Sequence, residues 1–346
     1  MSMVHAVELP RAGWLRNRTF DLALICGVTS LALVAASLIA IAPALAGLIL
    51  LIDSWFLGYP HVIATFVRLA PDKASVVRHR FLLFVLPVLV LAVTAGLTVT
   101  AGIGVVVTIY FYWQWYHTLR QSWGISQLYR RRSAVPVGEH PKFAEALFFL
   151  VALWGLLHRL SAGLDFFIFP TLPLYVPHVP IWLADGVGVL ALAGLTWWGM
   201  SRLREWIAGE LPVAHTLFSA SHYLIFIVGY VLLDDIGGGW VVTNIWHTAQ
   251  YLMIVWLFNQ NVVAKSTGAP RGWYFQLTRN NSAALFFTLC LVSALPVYFA
   301  LNNADIWFGP TVVLVTAVMN QAINFHHFIV DAVIWRKRRN PAGAPA

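Results

Sequence analysis

Apolar side chains run almost unbroken through stretches of about 20 residues, give way briefly to proline, glycine and charge, and then resume, along the whole chain. A helical run of that length crosses roughly 30 Å of hydrocarbon, so each reads as a membrane span. Spans are predicted near residues 20–42, 44–66, 81–101, 103–124, 143–163, 183–201, 213–234, 240–261, 283–302 and 310–334. Breaks fall at Pro43, Gly102, Pro212, the Gly237-Gly238-Gly239 run and Pro310, residues that end or bend helices. The predicted fold is all-α: a polytopic transmembrane helical bundle of about ten spans. No repeat, low-complexity segment or separate soluble domain interrupts it, so residues 1–346 form one integral-membrane domain, with cytoplasmic tails at 1–19 and 336–346.

Composition agrees, with 60% hydrophobic and only 10% charged residues, against roughly 25% charged in soluble domains. No cleavable secretory signal precedes the first run, because Arg11, Arg16 and Arg18 lead straight into a stretch long enough to span. The net charge of +8 is explained by where it sits. Under ten spans, all of the 22 Lys and Arg except Arg159 fall on one face, as the positive-inside rule requires of a cytoplasmic surface. The opposite loops hold Asp165, Asp185, Asp234, Asp235 and Asp305. Both termini are therefore expected inside, the basic face is expected to meet anionic lipid, and nucleic acid is not an expected partner. A bacterial inner (plasma) membrane is the expected location. The longest outer loop, 164–182, holds Phe166, Phe167, Phe169, Pro170, Pro173, Tyr175, Pro177 and Pro180, which suggests an ordered cap on the membrane. Cys26 and Cys290 lie in apolar runs and are expected to be neither disulfide-bonded nor metal-bound.

Ionisable groups at membrane depth are costly, and each is a functional candidate. Here they are mostly histidines: His61, His117, His222, His247, and the adjacent pair His326 and His327. At 1.5 Å per residue, His61, His117, His222 and His326 lie roughly 7 to 14 Å from the cytoplasmic ends of their helices, with His247 deeper. Several imidazoles converging from different helices is how a metal site is built in a bundle core. Asp331, one turn after His327, and Asp53, two turns before His61, are the carboxylates that would complete a mixed site. Gln121, Gln250, Asn324 and Gln321 stand close in sequence to the histidines and are expected to hold ligating rings or a cofactor. Polar helix packing and proton handling are the competing uses of the same residues. Many of the aromatic residues belong to interfacial belts, while Trp113, Trp115, Tyr116, Trp246 and Phe325 flank the histidines and suit an apolar ligand.

No nucleotide-binding loop, dinucleotide fingerprint, zinc-protease helix, haem-attachment motif or nucleophile elbow occurs, so reducing equivalents would come from a separate electron donor. Histidines from several helices near the cytoplasmic face make the chain resemble the integral-membrane non-haem iron oxygenases: lipid desaturases and hydroxylases, and the bacterial carotene-cleaving oxygenases. Desaturases carry His-x-x-x-His and His-x-x-His-His boxes, whereas this chain has one adjacent pair, His326-His327, and otherwise dispersed histidines. The resemblance implies an oxygenase or related redox enzyme with one or two non-haem iron ions, copper being an alternative, acting on a lipophilic substrate that enters from the lipid. Arg120, Arg68 or Arg336 would hold an anionic head group. A haem-binding electron-transfer protein and a proton-coupled transporter using Asp53, His61 and Asp331 are the alternative expectations.

Overall fold

The computed structural model describes residues 13–70, 72–163, 174–234, 236–265 and 282–335, and among them every regular element is helical. Among the described residues, eight helices are long and apolar enough to cross a membrane. They are α1 (Arg18–Ile41), α2 (Pro43–Leu69), α3 (Phe81–Ala101), α5 (Pro141–Ala162), α6 (Ile181–Ile207), α7 (Val213–Leu232), α9 (Ala283–Asn302) and α10 (Pro310–Ile334). Two further helices of 30 residues, α4 (Ile103–Arg132) and α8 (Ile236–Lys265), carry Gln114, His117, Gln121, Asn244, His247 and Gln250 within their length and are less apolar. The sequence breaks reappear as helix boundaries. Pro43 opens α2, Pro212 caps α7, Pro310 opens α10, and Gly102, at φ +86°, is the single residue between α3 and α4. A side chain at that φ would be strained, which is why glycine makes the corner. In the outer loop, residues 164–173 lie outside the described residues, and 174–180 lead into α6 without regular structure.

The chain divides into two compact units. The first comprises Met1–Gly58 and Trp115–Met253, the second Tyr59–Gln114 and Ile254–Ala346, with boundaries inside α2, α4 and α8. In the first unit α5 packs against α6 and α7, and α7 against α1. Water-free helix contact relies on close approach, and small residues supply it. A Cβ on Gly155 of α5 would stand 2.8 Å from Tyr230 Cβ, and one on Gly188 of α6 would meet the Trp154 ring at 2.5 Å. The glycine run read as a break in fact lies in the first turn of α8, which starts at Ile236. Gly239 there crosses Gly229 of α7 so tightly that a Cβ would fall 1.9 Å from the Gly229 carbonyl oxygen.

Arg159, the one basic residue placed on the acidic face by the charge count, is buried in the first unit. Its guanidinium donates to the carbonyls of Tyr230, Val231 and Asp234, the acceptors left over where α7 ends in the π turn Val228–Leu232. It is a helix cap, not a loop charge. At the basic end of the same unit, buried Glu139 is ion-paired with Arg202, whose guanidinium also holds Glu205 at 2.8 Å, and Arg130 donates to the Glu139 carbonyl oxygen. Burial raises the Glu139 carboxyl above the usual carboxylate range, against the pull of Arg202 and Arg130. Asp21, also buried, accepts from the backbone N–H groups of Leu15 and Arg16 and from Tyr129 Oη, tying the start of α1 to α4.

In the second unit α3 packs on α10, and α9 packs on the second half of α2. Leu86, Val90, Val106, Phe325 and Phe328 form the apolar cluster that seats α10. A Gly239→Ala substitution is expected to push α8 from α7 and cost ~1–3 kcal/mol, read as a lowered unfolding temperature of the purified protein in detergent.

Candidate metal centre

α2 and α10 each carry a histidine followed one turn later by an oxygen side chain: His61 and Thr65, His327 and Asp331. Residues four apart share a helix face, so each helix presents an imidazole and an oxygen together. In the second unit the two faces meet. His61 Nε2 and His327 Nε2 are 2.8 Å apart, His327 Nδ1 is 2.8 Å from Thr65 Oγ1, and Thr65 donates to Asp331 Oδ1 at 3.2 Å. All four residues are buried. Thr65, which sequence reasoning passed over, is the link. The spacing that exposed Asp331 one turn after His327 also holds for Thr65 after His61, and was the available signal.

The hydrogen bonds assign the protons. A hydroxyl has one proton, an ionised carboxylate only accepts, and so the Thr65 proton goes to Asp331 and its oxygen accepts from His327 Nδ1–H. The His327 Nε2 then carries a lone pair, aimed toward His61. An in-line N–H···N bond would separate the ring centroids by the nitrogen distance plus two centroid-to-nitrogen lengths. The centroids lie only 4.5 Å apart, with the rings at 73°, so at least one nitrogen direction is bent off the line joining the two nitrogens. Two nitrogens each about 2.1 Å from one ion and at a right angle to each other lie about 3 Å apart, close to what is found here.

His326, the neighbour of His327, points elsewhere. Its Nε2 donates to the Leu82 carbonyl at 2.7 Å, within the π turn Phe81–Val85 of α3, and its ring stacks on Phe66 at 5.2 Å. Adjacent helical residues diverge by about 100°, so the pair cannot share one direction. Tyr110 and Trp113 of α4 pack with Phe325 and Phe328 of α10, and Phe328 meets the His327 ring, walling this side with apolar surface.

The first unit holds a second imidazole pair. His117 of α4 and His247 of α8 are buried, with ring centroids 5.0 Å apart and edges facing at 81°. The Gln121 amide donates to the His247 backbone carbonyl at 3.1 Å, which fixes the helix there and leaves the ring to other contacts. One turn before His247, Asn244 donates to Asp53, a buried carboxylate of α2. His222 stands apart from this pair. Its Nδ1 meets Ser122 Oγ at 2.8 Å, its Nε2 the Phe148 carbonyl at 3.1 Å, and its ring stacks on Phe148 at 4.2 Å. Both nitrogens are satisfied by protein, the bonding of a helix-linking histidine.

The other sequence-predicted residues separate likewise. Among the described residues, Asn324 bonds back to Asn320 on its own helix. Gln250 is fully buried, and neither its amide atoms nor Gln321 Oε1 has a hydrogen-bond partner among the described residues. Hydroxyls and backbone carbonyls, rather than amides, are what hold the rings of His327, His222 and His326. Arg120 forms a half-exposed ion pair with Glu145 at 3.6 Å, a contact worth little in stability. Arg68 lies 3.9 Å over the Phe258 ring and 5.9 Å from that of Trp335, which meets Phe258 edge-on, and Arg336 lies outside the described residues. No protein-family model, curated protein or solved structure matches the chain.

A His222→Phe substitution is expected to keep the stacking on Phe148 but strand Ser122 and the Phe148 carbonyl. Unfolding in detergent should show a loss of ~1–3 kcal/mol, while metal bound per chain stays at the wild-type value.

Proposed function

We propose that the chain is an integral-membrane, metal-dependent oxidoreductase of the oxygenase type that acts on a lipophilic substrate. The observation that carries this reading is the His61–His327 pair: two imidazole nitrogens 2.8 Å apart and bent from line, with Thr65 and Asp331 fixing one ring from behind. The His117–His247 pair gives the first unit a second set of imidazoles, so each unit offers two to an ion of its own: His61 and His327 would hold one in the second unit, with Asp331 near them, and His117 and His247 would hold one in the first, with Asp53 tied nearby. Imidazole with carboxylate and open positions is the donor set of non-haem iron, and iron so bound would supply oxygen activation. A haem held between two histidines would need its imidazole nitrogens further apart than the 2.8 Å between His61 and His327. The apolar wall of Tyr110, Trp113, Phe325 and Phe328 supports a substrate drawn from lipid, since it keeps water from the imidazoles. The electron donor is a separate acidic partner docking on the basic face.

The topology belongs to the same proposal: ten spans, α4 and α8 included, with both termini cytoplasmic, in a bacterial inner membrane. The segregation of Lys and Arg supports it, and Arg159 ceases to be an exception once it is seen as a buried cap.

Purified protein should contain iron in a fixed ratio to chain. His327→Ala and His61→Ala should each lower it by at least half while the protein stays folded. Wild-type iron in both variants would overturn the site, and an intense Soret band would replace it with haem. In a Cys26→Ala/Cys290→Ala background, a cysteine at Asp305 should react with an impermeant thiol reagent in intact cells. One at Ala134 should react only after permeabilisation, and the reverse pattern would invert the topology.

A further inference from the structure

The weakest link in a two-histidine metal clamp is the choice of tautomer, because a neutral imidazole has one lone pair and two nitrogens to place it on. In lipid-buried surroundings there is no water to average the two forms. We infer that Thr65 is a positioning residue that sets the tautomer of His327, so that Nε2 rather than Nδ1 presents its lone pair to the ligand shared with His61.

The geometry behind this is a directed chain of three contacts. Asp331 Oδ1 takes the Thr65 hydroxyl proton at 3.2 Å, which turns the hydroxyl lone pairs toward His327 Nδ1 at 2.8 Å and makes that nitrogen the protonated one. The direction is that of the Thr65 hydroxyl donating to the Asp331 carboxyl oxygen. Thr65, His327 and Asp331 are all buried, Thr65 at 1% exposure. The helix that carries Thr65 also brings His61, so the residue that orients one ring rides with the other ring. The inference rests on the metal reading for its purpose, but its geometry stands in the metal-free protein.

The test has two readouts. In metal-free protein labelled with 15N-histidine, the His327 signals, assigned by their loss in His327→Gln, should show a protonated Nδ1 and a bare Nε2. Thr65→Val, which keeps shape and removes the hydroxyl, should abolish that signature and weaken binding of iron(II) and of zinc(II) about 10- to 100-fold. Thr65→Ser should restore both to near wild type. A protonated Nε2 in the wild-type spectrum overturns the inference without any variant. So does a Thr65→Val protein that binds metal as tightly as wild type, or a folded Thr65→Ser protein that does not. If wild-type protein binds neither metal yet the tautomer signature moves as stated, the positioning role stands and the metal proposal falls.

Discussion

Lipid offers no hydrogen bonds, and this constraint shapes every polar residue the chain places inside its helices. A buried carbonyl, imidazole or carboxylate must find its partner within the protein. Arg159 answers the carbonyls at the end of α7, Asn244 answers Asp53, and Ser122 with the Phe148 carbonyl answers His222. Once those needs are met by protein, the residues are explained as structure. What stands out against them is the α2–α10 face of the second unit, where two imidazole nitrogens are set against each other and the other nitrogen of His327 is held by Thr65.

The same constraint accounts for the packing. Helices that are apolar on all sides gain little by exchanging lipid for protein, so they associate through close backbone contact and a few polar links. Gly229 against Gly239, and Gly155 against Tyr230, supply the first; Tyr129 with Asp21 and Arg202 with Glu139 supply the second.

The histidines show how little composition alone distinguishes. The six imidazoles divide into rings bonded wholly to protein, as in His222, a ring held by a carbonyl and an aromatic face, as in His326, and rings set against one another, as in His61 with His327 and His117 with His247. The division depends on where each ring points around its helix, and neighbours such as His326 and His327 end in different environments for that reason alone.

An all-helical membrane fold and helix boundaries at Pro43, Gly102, Pro212 and Pro310 were legible from the amino-acid order, because the length of an apolar run is a local, one-dimensional quantity. So was the placing of Asp331 one turn beyond His327. Which imidazoles face each other, that the glycine run of α8 is helical, and where Thr65 stands were decided only by the tertiary structure. A helix apolar all round has no polar stripe to announce which face is turned inward. The rotation of α2 against α10, and with it the His61–Thr65–His327–Asp331 arrangement, follows from packing among side chains far apart in the chain.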